Sequence, residues 1–215
     1  MDAETTAALR VSYDRVTEEY AAQFFGELAA KPLDRALLDA FAELVRGQGT
    51  VADLGCGPGQ VARYLHDRGV PAVGIDLSPE MVAVARRLSP DIPFQQGSML
   101  ALEVEDAAWA GIVAFYSIIH IPLEELPRAF AEFSRVLRPG GYALLAFHIG
   151  QERIHRDEWW GHDVSLDFQF YEPEELEALL TGAGFTIEAL LVRRPYEPVE
   201  HPSQRGYILA RKPAV

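Results

Sequence analysis

The sequence predicts an α/β protein: a seven-stranded, mostly parallel sheet with helices on both faces, an antiparallel hairpin at its C-terminal end and an N-terminal helical cap. Three observations predict it. Short apolar runs alternate with helical patterns from Thr50 onward, a glycine-rich turn follows the first run, and the last two runs have no helix between them.

The elements follow in order. Val11, Val16, Tyr20 and Phe24 recur at helical spacing, and Leu33, Leu37, Leu38, Phe41, Leu44 and Val45 do so again after Pro32, so two amphipathic helices precede the sheet. The alternation then reads strand 50–54, helix 59–68, strand 71–75, helix 79–88, strand 92–96, strand 110–116, helix 123–137 and strand 141–148. Apolar spacing over 97–109 does not decide whether a further short helix lies there. Arg138-Pro139-Gly140-Gly141 ends the long helix at its arginine, because proline cannot continue it and glycine tolerates the turn, so a strand starts near Tyr142. The tail reads helix 173–181, a Gly182-Ala183-Gly184 stop, strand 185–192, a proline-broken loop and strand 205–211. Residues 149–172 fit no clean helix or strand period and mix Trp159 and Trp160 with Arg153, His155, Arg156 and His162. A long irregular segment in a compact domain is functional or a packing loop, and we read this one as an insertion covering a substrate.

Composition bounds the function. A chain of 215 residues with 49% hydrophobic content is expected to bury one core. It divides into a helical cap (1–47), a sheet core (48–148), the insertion (149–172) and a C-terminal helix and hairpin (173–215). No repeat or low-complexity tract interrupts it. The formal charge of −13 repels phosphate backbones and anionic membranes, which argues against nucleic-acid and membrane partners. A single cysteine, Cys56, excludes an intrachain disulfide, and with an acidic N-terminus and no long apolar run a cytoplasmic location is expected.

Asp53-Leu54-Gly55-Cys56-Gly57-Pro58-Gly59 follows a buried strand and opens a helix, so its glycines permit a tight turn and close approach of a ligand to the backbone. Asp76 ends the next strand, near the separation of about 20 residues at which an acid grips ribose hydroxyls. The dinucleotide fingerprint needs a glycine where Gln60 stands, whereas Gly59 favours S-adenosylmethionine over NAD.

With these motifs, and with Gly74-Ile75-Asp76-Leu77-Ser78-Pro79-Glu80-Met81 and Arg135-Val136-Leu137-Arg138-Pro139-Gly140-Gly141, the sequence resembles the class I S-adenosylmethionine-dependent methyltransferases from about Tyr13 to the C-terminus. The resemblance implies a Rossmann-like sheet, S-adenosylmethionine as cofactor and S-adenosylhomocysteine as product. It implies that Asp53 and the Gly55–Gly59 backbone, Cys56 and Gly57 included, hold the methionine part, Asp76 takes the ribose hydroxyls, and Leu77 and Met81 border the adenine. Gly97-Ser98-Met99 stands where the family often has Gly-Asp, so adenine is expected to rest more on Leu77 and Met99 than on charge. Tyr13 and Tyr20, seven apart on one helix, either close over the cofactor or pack the helix, and Tyr20 is the choice for the methionine carboxylate.

Phe115-Tyr116-Ser117-Ile118-Ile119-His120 leaves the fourth strand at its carboxyl end, where parallel sheets bind ligands, so Tyr116 and Ser117 should line the cofactor. His120 just beyond is a general base titrating near 6.5 or a histidine that orders its loop, and His148, ending the fifth strand, is a second base or a substrate contact. His148, His155 and His162 recur every seven residues without a recognisable metal set, and no metal is expected. Arg193, Arg194 and Arg205 are either contacts for an anionic substrate or, more in keeping with the acidic surface, exposed arginines. The function expected is methylation of a small molecule by a monomer or homodimer. Its rivals are a non-catalytic cofactor-binding regulator or partner protein on the same fold and a nucleotide-dependent oxidoreductase.

Overall fold

The structure is a computed structural model that describes residues 1–214. Helix α1 (Ala3–Phe24) opens the chain, and the Asp2 carboxylate accepts the Thr5 N–H at 2.8 Å, satisfying one of the donors a helix start leaves free. A short 3₁₀ turn (Glu27–Ala30) leads into α2 (Pro32–Val45), whose first position holds proline, a residue with no N–H to leave unpaired. Both expected helices of the cap are present.

The sheet core follows as β1 (Val51–Leu54), α3 (Gln60–His66), β2 (Ala72–Asp76), α4 (Pro79–Leu88), β3 (Phe94–Gln96), β4 (Trp109–Phe115), α5 (Leu126–Val136) and β5 (Leu137–His148). After it come β6 (Arg153–Trp159), β7 (His162–Gln169), α6 (Pro173–Gly182), β8 (Thr186–Arg193) and β9 (Arg205–Arg211). Seven strands form one sheet in the order β3-β2-β1-β4-β5-β9-β8. The first five run parallel, with Asp53 opposite both Gly74 and Val113, while β9 pairs antiparallel with β5 and with β8. The final hairpin therefore sits at the sheet edge as expected, with β9 inserted beside β5 and β8 outermost.

Helices cover both faces. Phe41 and Val45 of α2 and Leu65 of α3 pack on Val51, Val113 and Leu144, and on the opposite face Phe130 and Phe133 of α5 and Leu176 and Leu180 of α6 pack on Ile112, Leu145 and Ile208. Buried phenylalanines of this kind cost roughly 3–5 kcal/mol when cut back to alanine, so these two layers carry much of the stability. Among the described residues no helix is long and apolar enough to cross a membrane.

One local feature answers what the sequence left open, and two differ from the sequence expectations. Residues 97–109 contain no helix: Glu132 accepts the Leu102 N–H at 2.8 Å, and the Arg135 guanidinium donates to the Leu102 and Val104 carbonyls, so side chains of α5 satisfy this backbone instead. Helix α5 ends at Val136 rather than at the arginine, because Leu137 already pairs with Trp109 of β4 before a register shift carries the strand to Tyr142. Segment 149–172, expected to be irregular, contains an antiparallel hairpin in which β6 pairs with β7 from Arg153↔Gln169 to Trp159↔His162. Its two-residue turn, Trp160-Gly161, has positive φ at both positions (52° and 80°), the geometry that suits the twist of a hairpin. Val164 and Leu166 of β7 bury against Val16 of α1, so hairpin and first helix form one cover over the carboxyl ends of the strands.

Candidate active site

The chain order of the parallel strands reverses between β1 and β4, the place where open α/β sheets bind ligands. Two adjoining cavities occupy it: a slot of about 110 Å³ along the glycine turn and a wider chamber of about 390 Å³ under the hairpin. Together they fall within the roughly 300–1,000 Å³ of small-molecule sites. Tyr13, Tyr20, Gln60, Phe115 and Tyr116 line both, so they form the shared wall.

The turn after β1 divides in two. Gly55, Cys56 and Gly57 line the slot. Gly57 has φ +51° and a Cβ there would project to within 3.5 Å of the Tyr20 ring, while a Cβ on Gly55 would fall 2.4 Å from that of Ser117. Gly59 and Asp53 instead lie behind the turn, outside the slot lining. A Cβ on Gly59 would strike the Phe94 ring at 2.7 Å, and Asp53 Oδ2 accepts the Ala62 N–H at 3.0 Å, bracing the first turn of α3. Burial pushes Asp53 up to about 7. The structure thus brings the middle of the motif to the cavity and uses its ends to build the turn.

Asp76 reaches the slot from β2. Its Oδ2 accepts the Gly57 N–H at 2.8 Å and Oδ1 the Ser78 N–H at 2.9 Å, while burial raises its carboxyl above the usual range. Leu77, Met81, Gly97, Ser98 and Met99 line the slot beside it. Ser98 Oγ is engaged by the Leu100 N–H at 3.2 Å, leaving the apolar side chains as the main surface there. Ser117 lines the slot with its hydroxyl turned away, donating to the Leu54 carbonyl at 2.6 Å. Tyr116, at φ +52°, presents its ring to both cavities and its hydroxyl to Tyr207 at 2.8 Å.

His120 faces the slot, and both ring nitrogens are occupied. Nδ1 lies 2.8 Å from the Asp167 carbonyl, which can only accept, so Nδ1 carries the proton and Nε2 accepts the Tyr13 hydroxyl at 2.7 Å. Burial lowers this histidine to about 4, away from the value near 6.5 expected from sequence. His148 lines the chamber, not the slot, with Nδ1 2.8 Å from Ser203 Oγ. Burial, then Arg205, His201 and Lys31, take it down to about 3.

The expectation of exposed arginines in the tail fails for Arg193 and Arg205, which are 9% and 3% exposed; only Arg194 is on the surface. Arg193 is locked between Asp34 at 2.8 Å and Glu200 at 2.6 Å because a buried guanidinium requires carboxylate partners. The sequence reading also missed Gln60 as a site residue. Its amide nitrogen donates to Glu27 at 3.3 Å, while Oε1 is buried with no partner among the described residues. Its place at the start of α3, directly after the glycine turn, was the available signal.

The residues present fit S-adenosylmethionine. Gly57 leaves the space a side chain would fill, Gln60 Oε1 supplies an unpaired acceptor for an ammonium, Asp76 supplies carboxylate oxygens for ribose hydroxyls, and Leu77, Met81 and Met99 supply an apolar bed for a base.

Known proteins agree with this geometry. A methyltransferase-domain family model matches residues 51–141. The demethylmenaquinone methyltransferase of Chlorobaculum tepidum is 28% identical over 149 residues, covering 66% of this chain and 60% of that protein. The malonyl-[acyl-carrier protein] O-methyltransferase of Salmonella typhimurium is 30% identical over 173 residues, covering 75% and 66%. The chain thus spans 60–66% of the length of these curated relatives. Among solved structures, a DhpI–SAH complex superposes over 100% of both chains with a TM-score of 0.76 and 22% identity, a likeness of fold. With a sheet order, a glycine-turn slot and a domain match that all agree, the chain belongs to the class I S-adenosylmethionine-dependent methyltransferases.

Proposed function

We propose that this protein transfers a methyl group from S-adenosylmethionine, held in the slot, to a small-molecule acceptor held in the chamber. The observation that carries the reading is the shared wall: one set of side chains lines both cavities, so two reactants meet there. When bound, the cofactor supplies a methyl group already activated on a sulfonium. The protein's work is alignment, which lowers barriers by roughly 7–11 kcal/mol in favourable intramolecular cases.

In this reading Gly55, Cys56, Gly57 and Gln60 hold the methionine portion, Tyr20 closes over it, Asp76 binds the ribose, and Leu77, Met81, Gly97, Ser98 and Met99 enclose the adenine. Tyr116 and Ser117 shape the wall. Asp53 and Gly59 act at one remove by setting the turn. His120 serves as a positioning residue that ties Tyr13 to the cleft, since its one lone pair is taken and its basicity is low. The hairpin of 149–172 covers the acceptor. The negative charge argues for a small molecule over nucleic acid, and the single cysteine for a cytoplasmic setting.

Calorimetric titration tests the cofactor half. S-adenosylhomocysteine is expected to bind in the micromolar range and NAD not at all; binding of NAD alone would overturn the assignment.

A further inference from the structure

Charge in the chamber is unevenly matched. Its wall carries three cations, Lys31, Arg156 and Arg205, and two carboxylates, Glu27 and Glu200. All four carboxylate oxygens are taken by the protein itself. Glu200 receives Arg193 at 2.8 and 2.6 Å and the Tyr196 N–H at 2.7 Å, and Glu27 receives Lys31 at 2.6 Å and the Gln60 amide at 3.3 Å. The Arg193 charge is answered by Asp34, so the chamber keeps one positive charge in excess inside a protein of net charge −13. Lys31 and Arg205 flank the shared wall, 5.4 and 5.7 Å from the Tyr116 ring centre. Arg156, exposed on β6 and on the same strand face as Ile154, makes no ion pair among the described residues.

Of the histidines at the cleft, His120 and His148 are hydrogen-bonded through ring nitrogens, while His201, which also lines the chamber, has no ring hydrogen bond among the described residues. Ser203 Oγ accepts Arg205 at 2.5 Å and lies 2.8 Å from His148 Nδ1, so this ring is tied to the arginine through the serine. His120 Nε2 is occupied by Tyr13. Around these donors stand aromatic walls, Trp159, Phe168 and Phe170 among them.

We propose that the chamber binds an organic acid as its monoanion, with its apolar body among Trp159, Phe168 and Phe170 and its carboxylate toward Lys31 and Arg205, and that the carboxylate oxygen is the methyl acceptor. The inference rests on the methyl-transfer reading above. A carboxylate oxygen forms the new bond to the methyl carbon, the donor's carbon–sulfur bond breaks with its electron pair kept by sulfur, and an anion and a sulfonium become a neutral ester and a neutral thioether. No proton moves, so the step needs no general base.

Calorimetry with three probes of one shape tests it: 3-phenylpropanoate, 3-phenylpropanamide and 3-phenylpropan-1-amine, each titrated with and without saturating S-adenosylhomocysteine. The acid is expected to bind about tenfold more tightly than the amide, and the amine not measurably, as a charge-assisted contact predicts. Lys31→Met should lower acid affinity by about the same factor and leave amide affinity unchanged. Arg156→Met, on an exposed strand face where folding is not at risk, should weaken the acid in the same direction. Equal binding of acid and amide, preference for the amine, or binding of none of the three overturns the proposal. Failure of S-adenosylhomocysteine to bind while the acid still does overturns the methyl-transfer reading instead.

Discussion

In the proposed site Asp76 is given the most specific single role. Two backbone N–H groups already orient its carboxylate, so the ribose of the proposed site would meet it without reorganisation. Asp76→Ala should therefore weaken S-adenosylhomocysteine by about ten- to a hundredfold, the worth of hydrogen bonds to a charged acceptor. Calorimetry on the folded variant measures it, and unchanged affinity would remove the ribose assignment. At this scale the sequence spoke clearly where backbone geometry demands a residue type, as at Gly55 and Gly57, and ambiguously where one motif serves two purposes. Asp53 and Gly59 belong to the same motif yet face α3 and Phe94 rather than the cavity, because a turn must be built as well as lined. Gln60 was legible only as a departure from a dinucleotide pattern; its unpaired oxygen is a fact of packing that no spacing reveals.

Elements meet at His120. Through Asp167 and Tyr13 it joins the loop after β4 to β7 and to α1, the two parts of the cover. His120→Asn should leave S-adenosylhomocysteine affinity little changed while the β7 amides exchange faster with solvent, as hydrogen-exchange mass spectrometry would show. Wild-type cofactor binding should display no ionisation near 6.5 assignable to this ring, since burial holds it near 4. Loss of cofactor binding with unaltered exchange would contradict a positioning role. The hairpin itself was the main element missed. Val164, Leu166 and Phe168 alternate as a half-buried strand should, and Trp160-Gly161 is a suitable hairpin turn, yet β6 has charged or polar residues at most positions and masked the pairing. The parallel core was legible because strands buried on both faces read as continuous apolar runs.

The whole molecule carries its buried histidines as a cost at low pH. His120 and His148 titrate at about 4 and about 3 in the fold and near 6.5 when unfolded, so between those values the unfolded chain binds more protons. Their neutral burial thus gives stability that is full above about 6.5 and lost as pH falls toward 4. Asp53, raised to about 7 by burial, works in the opposite sense, favouring the fold as pH falls through that value. The contribution of one ring is therefore read by difference: in urea melts at pH 7.5 and 5, His148→Asn should lose less stability on acidification than the wild type. An equal loss would contradict the buried neutral ring.

The central claim is that two reactants meet across the wall of Tyr13, Tyr20, Gln60, Phe115 and Tyr116. A crystal structure with S-adenosylhomocysteine bound tests it most directly. The account predicts the ribose on Asp76, the amino group beside Gln60 Oε1, and the sulfur facing the chamber under the hairpin. A sulfur sealed from that chamber, or a ligand bound away from the glycine turn, would contradict it.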